Sequence, residues 1–337
     1  MKVFKGGLIG CGFFSQHHRE AWRRMPDVEI VAACDLSLER AQAAALRAYT
    51  SAEEMLKVED LDFVDIATRS TTHLELISLV AERGLAIICQ KPMAPNWATA
   101  CRMVEISESY GVPFMIHDNW RWQSWYRAAG AIIARGDIGT PLNYGFRCRV
   151  GHGTGDEPYP KQAYFRQLQR FLVDEVLVHH IDTARFLFGD IASIYAEGAR
   201  RNPHLVGEDH VILTLRHVNS VMGWVEGHTF QKQDDTRSTH DEATFEGDSG
   251  SIRIDKLGEI WSGGEKVWTD DHVRGYRGDS VYATEAHFID CLKSGRPFES
   301  GAREYLEKTF AVVEAAYTSL NSHRRVEIAE IVTTTER

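Results

Sequence analysis

A chain of 337 residues is too long for one ordinary domain and suits two of roughly 150 residues each. Hydrophobic residues make up 43% and charged residues 26%, enough to bury a core, while 48 acidic against 38 basic residues give a formal net charge of −10 and exclude nucleic-acid phosphate as the main partner. No apolar run approaches the roughly 18 residues of a membrane span. The glycine-interrupted start, MKVFKGGLIGCGFF, carries neither a cleavage site nor a twin arginine, and Cys11, Cys34, Cys89, Cys101, Cys148 and Cys291 form no Cys-x-x-Cys pair; a cytoplasmic protein with reduced thiols is expected.

Through the first 140 residues apolar runs alternate with amphipathic stretches. Strands are predicted over 3–10, 29–35, 63–68, 86–90 and 113–118, and helices over 15–25, 38–49, 72–83, 97–110 and 124–135. Such alternation builds a doubly wound parallel sheet, an α/β fold whose ligands lie beyond the carboxyl ends of its strands. A turn-rich hinge follows, Gly136-Asp137-Ile138-Gly139-Thr140-Pro141. A long helix is predicted over 171–187, ended by Gly189, and then strands over 192–198, 210–217, 221–228, 242–246 and 251–254 with no helix between them. This second pattern predicts an α+β domain with an open, mainly antiparallel sheet. Helices over 281–293 and 304–319 and a short strand over 325–328 complete it. The expected division is 1–122, 123–330 and a polar tail, 331–337.

Gly10-Cys11-Gly12-Phe13-Phe14-Ser15 directly follows the first strand and opens the first helix. The first glycine permits a tight turn, the second lets a pyrophosphate approach the backbone, and Ser15 is small enough for helix–strand packing. The helix N-terminus adds free N–H groups and partial positive charge. Asp35 ends the second strand 20 residues after Ser15, where a carboxylate bonds an adenosine ribose hydroxyl and repels a 2′-phosphate, favouring NAD over NADP. A plain tight turn, with Asp35 capping the second helix, is the competing reading.

Lys91 stands at the end of the strand over 86–90, ahead of Pro92. There an ammonium meets the ligand crevice and is able to hold a hydroxyl and pass a proton. A solvated loop lysine is the ordinary alternative. Glu175, His179 and Asp182, spaced i, i+4, i+7, share one face of the long helix. A histidine oriented by a carboxylate one turn away is a general base near neutral pH. A satisfied structural histidine fits the spacing equally well. A metal held by Glu175, His179, His180 and Asp182 does not match a common zinc spacing, and no metal is expected.

Together the glycine loop, the lysine–proline pair and this helix resemble the glucose–fructose oxidoreductase, inositol dehydrogenase and rhizopine-catabolism family (Gfo/Idh/MocA), over nearly the whole length. Thr68 and His73 match its Thr-then-His pair, Gln90-Lys91-Pro92 its Glu-Lys-Pro motif, and Glu175, His179 and Asp182 its carboxylate-x-x-x-His-x-x-Asp helix. The resemblance implies a Rossmann domain and oxidation of a sugar or polyol hydroxyl with hydride passing to nicotinamide C4. It implies Lys91 as binder of the reacting oxygen and proton relay, His179 as general base and Glu175 as its orienter. Asp182 would bind substrate hydroxyls or the surroundings of His179, Asn119 and Arg121 would contact nicotinamide or substrate, Tyr164 would contact substrate, and Gly10, Gly12, Phe13, Phe14, Asp35, Thr68, His73, Gln90 and Lys91 the cofactor. Gln90 in place of glutamate removes a negative charge beside Lys91, which eases deprotonation of the ammonium.

Gly12-Phe13-Phe14, Ala21-Trp22, Ile88-Cys89-Gln90-Lys91-Pro92, His117-Asp118-Asn119-Trp120-Arg121-Trp122 and Gly207-Glu208-Asp209 resemble the D-apiose dehydrogenase branch, implying oxidation of an aldose at its anomeric carbon to a lactone. Two other functions compete: a redox-neutral NAD-using epimerase or glycosidase, and a non-catalytic nucleotide sensor, which would not need Lys91 and His179. Trp224, Val225, Phe230 and Phe245 are expected on an exposed sheet face that joins subunits into a homodimer or homotetramer. Trp120, Trp122, Trp125 and Tyr126 would line a sugar site or pack the core. Arg147, His152, Tyr164 and Arg166 are expected on a loop over the substrate.

Overall fold

The computed structural model describes residues 2–45, 47–231, 239, 241–270 and 275–333. The chain forms two compact units, one of residues 1–119 and 277–307, the other of 120–276 and 308–337.

In the first unit, β1 (Phe4–Ile9), β2 (Val28–Cys34), β3 (Arg47–Tyr49), β4 (Phe63–Ile66), β5 (Ala86–Gln90) and β6 (Phe114–His117) pair in the order β3-β2-β1-β4-β5-β6, all parallel. The direction of winding reverses between β1 and β4, the place where such sheets bind ligands. Every residue of β4, β5 and β6 is buried, as a sheet covered on both faces requires. Helices α1 (Ser15–Arg23), α2 (Leu38–Ala44), α3 (Ala52–Val58), α4 (Ser70–Ala81) and α5 (Trp97–Ser109) connect the strands. Ser37, Ser51 and Asn96 start α2, α3 and α5 by accepting backbone N–H bonds from Arg40, Glu54 and Thr99.

Two expectations change here. The helix expected over 38–49 stops at Ala44, and Arg47, Ala48 and Tyr49 pair with Ala32, Ala33 and Cys34 as β3. Satisfying the ladder groups of β2 outweighs the helical preference of an alanine-rich run. The helix Gly275–Ser294, expected in the second domain, packs with the first unit: Phe288 and Ile289 enter a core with Phe4, Trp22, Phe63, Ile88 and Met115. Linear boundaries cannot anticipate such a return, because only the buried face of the helix specifies it.

The second unit is a nine-stranded sheet in the order β14-β13-β12-β11-β7-β10-β9-β8-β15. Its strands are β7 (Pro141–Arg149), β8 (Ile191–Ala199), β9 (His210–His217), β10 (Met222–His228), β11 (Asp241–Gly247), β12 (Ser251–Ile254), β13 (Ile260–Ser262), β14 (Glu265–Trp268) and β15 (Val326–Glu327). All neighbours are antiparallel except β7 and β10. β7 was not anticipated, and it places Arg147 on a strand rather than a covering loop. Val211, Leu213, Leu215, Val225, Phe146 and Phe245 point into the core. Val225 and Phe245 are therefore not part of an exposed face, since side chains alternate along a strand and these positions have the inward parity.

The same core takes in α6 (Ser124–Ala134) and α7 (Val178–Phe188). Phe188 of α7 stacks on Tyr144 with ring centroids 4.6 Å apart. The expected single helix over 171–187 instead begins as a π turn, Val173–Leu177, before α7, and Gly189, at φ 85°, ends it. Trp125 and Tyr126 are fully buried core residues. Among the described residues, no helix is long and apolar enough to cross a membrane. Residues 334–337 of the expected tail lie outside the described residues.

Candidate functional site

In the first unit, Gly10 follows β1 at φ 96°, and a Cβ there would lie 2.7 Å from the carbonyl oxygen of Ala67, so only glycine fits. The Cys11 N–H donates to Asp35 Oδ2 at 2.8 Å and the Ser37 N–H to Asp35 Oδ1 at 2.9 Å. Asp35 thus ties the loop after β1 to the loop after β2. Burial, with help from Asp35, pushes the Cys11 thiol up to about 12, which keeps it from acting as a thiolate nucleophile. Gly12 is exposed, with nothing within 4 Å of where a Cβ would sit. Ser15 is buried and donates from Oγ to the Gly12 carbonyl at 2.8 Å. No side chain caps α1 through Phe14, and no carboxylate occupies its first turn. An open glycine before an uncapped helix N-terminus fits a dinucleotide pyrophosphate.

Beyond β4 and β5, buried His73 bridges two loops. Its Nδ1 lies 3.0 Å from the Met93 carbonyl and its Nε2 3.3 Å from the Thr68 carbonyl. Burial holds its pKa below the ordinary value despite these two acceptors, so the neutral ring donates to one of them. The Thr68 hydroxyl accepts from Thr72 Oγ1 at 2.8 Å. At the end of β5 the Lys91–Pro92 peptide is cis, and half-buried Lys91 donates its backbone N–H to the Gln90 side-chain oxygen at 2.8 Å. Asn119, just past β6, is buried and donates to Ser280 Oγ at 2.7 Å.

In the second unit, His179 lies on the first turn of α7, half-buried, with the Trp120 ring stacked on it at a centroid distance of 5.2 Å and 23° between planes. Trp120 donates from Nε1 to Asp241 Oδ2 at 2.5 Å. Asp241 also accepts from Tyr126 at 3.1 Å, and its Oδ1 lies 3.0 Å from His180 Nε2. This fully buried carboxylate was not singled out from the sequence, where it is one acid in the polar run before β11. Its partners are 61 or more positions away in the chain, which no local pattern reveals.

Glu175 lies in the π turn and His179 in the α-helix after it. Asp182 is fully buried; Arg121 donates to both its oxygens at 2.6 Å, and Thr309 to Oδ1 at 3.0 Å. Both residues, expected at the substrate, are therefore engaged with each other. Tyr164 packs edge-on against Phe165, and Arg166 donates to the Pro158 carbonyl at 2.7 Å.

The family models match both halves. Residues 4–117 match the oxidoreductase family with an NAD-binding Rossmann fold, and residues 126–253 match the C-terminal domain of the same family. The chain belongs to the Gfo/Idh/MocA oxidoreductase family. A D-apiose dehydrogenase of Paraburkholderia graminis is 37% identical over 98% of this chain and 91% of its own length. A second D-apiose dehydrogenase, of Rhizobium rhizogenes, is 31% identical over 98% and 99%. An oxidoreductase from Agrobacterium radiobacter, solved in complex with NAD+, L-tartaric acid and magnesium, superposes with a TM-score of 0.90 at 30% identity, over 98% of this chain and all of that one.

As a member of this family the protein is an NAD-binding oxidoreductase. Among the described residues, two buried groups bring three ligand-type side chains within 4.8 Å of one another: His18, His117 and Glu285, and Cys148, His180 and Asp241. In the second, Asp241 already serves Trp120, Tyr126 and His180, and burial holds the Cys148 thiol well above its ordinary range.

Proposed function

We propose that this protein is an NAD-dependent dehydrogenase that oxidises a sugar or polyol hydroxyl. The favoured substrate is the anomeric carbon of an aldose such as D-apiose, with a lactone as product. The observation that carries this reading is likeness over nearly the full chain to two D-apiose dehydrogenases, with Lys91 and His179 both present. A bound nicotinamide supplies the hydride acceptor. Lys91 binds the reacting oxygen through Nζ and takes part in removing its proton as the C–H hydride departs. His179 is the base that carries the proton onward; its ring plane is set by Trp120, and Glu175 orients it.

Asp35 bonds the adenosine ribose hydroxyls and disfavours a 2′-phosphate, hence NAD over NADP. Gly10, Gly12, Phe13 and Phe14 cradle the pyrophosphate; Thr68, His73, Gln90 and Asn119 shape the site of the nicotinamide half. Tyr164 contacts the sugar, whereas Arg121 and Asp182 act through their mutual pair. The six cysteines, none in a disulfide, agree with a reducing, cytoplasmic setting. The working assembly is a homo-oligomer formed through the exposed face of the nine-stranded sheet.

The test is reduction of NAD by purified protein across aldoses, including D-apiose, polyols and inositols, with NADP in parallel and Lys91→Ala as control. Turnover of one sugar class with NAD, abolished in the variant, is the expected result. Turnover with NADP alone would overturn the role of Asp35. No net reduction with any sugar, together with cofactor retained through purification, would overturn the dehydrogenase in favour of redox-neutral chemistry.

A further inference from the structure

Behind Lys91, five buried polar side chains meet where α1, β4, β5, β6 and the helix Gly275–Ser294 come together: His18, Asp65, Gln90, His117 and Glu285. Their hydrogen bonds have only one consistent direction. Gln90 Oε1 accepts the backbone N–H of Lys91 at 2.8 Å, so the other end of the amide is the NH2 group. That group lies 3.0 Å from His18 Nε2, which must therefore accept. An imidazole that accepts at Nε2 carries its proton on Nδ1, and His18 Nδ1 lies 2.8 Å from Asp65 Oδ2. The same oxygen accepts from Trp22 Nε1 at 2.8 Å.

The chain thus runs from a carboxylate to the backbone of Lys91. His18 and Asp65 are fully buried, and Gln90 is 6% exposed. His117 stacks on His18 at 4.3 Å, with its Nδ1 3.5 Å from Gln90 Nε2. Glu285 Oε1 lies 3.3 Å from His18 Nδ1 and 4.0 Å from His117 Nε2. Burial pushes Glu285 well above the carboxylate range, and burial, with His18 close by, lowers His117 to about 3, so both are neutral. Burial alone would raise Asp65, but the His18 and Trp22 donors bring it below its ordinary value, leaving it the ionised member.

We propose that Asp65, His18 and Gln90 are positioning residues for Lys91, a one-way hydrogen-bond relay that fixes the lysine backbone and, because an amide neither takes nor gives a proton, isolates the lysine from the buried acids. This rests on Lys91 being the proton-transfer group. Gln90→Glu is nearly isosteric and reverses one link. Its second oxygen accepts where the amide donated, so His18 must carry a proton on Nε2, and a new anion lies one peptide from the ammonium.

The experiment combines histidine ring 15N NMR with the pH dependence of sugar oxidation, on full-length protein with far-ultraviolet dichroism as the folding control. In the native protein His18 Nε2 should be unprotonated, and in Gln90→Glu protonated. The ascending limb of kcat/KM, which reports the deprotonated lysine, should move up by about one pH unit in the variant. Asp65→Asn, which keeps both acceptor bonds and removes the charge, should lower kcat by about tenfold. A protonated His18 Nε2 in the native protein, or a Gln90→Glu profile superimposable on the native one, overturns the relay. Full turnover by Lys91→Ala would instead overturn the role of the lysine on which the relay rests.

Discussion

At the scale of single residues, Arg121 and Asp182 are two motif positions tied to each other in the core. Two N–H bonds of 2.6 Å in a fork, plus the hydroxyl of Thr309, hold a carboxylate that no water reaches. Removing one charge of such a pair leaves the other buried and uncompensated, a loss of about 3–5 kcal/mol. Asp182→Asn should therefore lower the denaturant midpoint sharply while the KM for sugar, measured on protein that remains folded, changes little. The opposite pattern, unchanged stability with a raised KM, would return Asp182 to the substrate. Gly10 belongs to the same scale. Its positive φ and the Ala67 carbonyl 2.7 Å from any added Cβ make it a backbone requirement, and this kind of residue is readable from sequence because the requirement is local.

At the scale of elements, legibility followed the range of the forces involved. Strands β5, β9 and β12 are found where their own apolar pattern places them. β3 and β7 were missed because each owes its conformation to a neighbouring strand, and the π turn at Val173–Leu177 because winding by one extra residue leaves no mark in composition. In the same way Lys91 and His179 stood out by position, while Asp65, Asp241 and Glu285 acquire meaning only once distant elements are packed around them. The junction of α7 with the sheet gives a measurable case. The Tyr144 hydroxyl lies 2.8 Å from His217 Nε2, and His217 Nδ1 lies 2.8 Å from the Gly189 carbonyl, so the neutral ring donates at Nδ1 and accepts at Nε2. Burial lowers its pKa to about 4 from an ordinary 6.5. Above pH 6.5 folded and unfolded chains both hold it neutral. As the pH falls from 6.5 towards 4 the unfolded chain binds a proton that the folded one refuses, so stability falls, by up to roughly 3 kcal/mol. His217→Gln should lose that part of the acid slope in urea midpoints measured between pH 7 and pH 4.5; equal slopes would refute the assignment.

At the scale of the whole molecule, the nine-stranded sheet has one face in the core and one facing outward, and the outward face carries three large apolar side chains, Ile212, Met222 and Trp224, among charged ones. Met222 is 58% and Ile212 43% exposed, on adjacent strands, and half-buried Trp224 lies between Met222 and Glu226 along β10. Arg147 reaches over the Trp224 ring at 5.4 Å and pairs with Glu226 at 3.6 Å, so the apolar side chains are interleaved with charges. The proposed two-fold contact between copies would cover them without a second kind of partner. A stable dimer buries about 1,600 Å2 in total, which a sheet of this width can supply. Sedimentation at micromolar protein should therefore give a dimer or a tetramer. Met222→Glu, which puts a carboxylate on this face without touching the core, should shift it towards monomer while the far-ultraviolet dichroism stays native. Monomer behaviour of the unmodified protein would mean that the face is covered otherwise or not at all, and an unchanged assembly in the variant would move the contact to another surface.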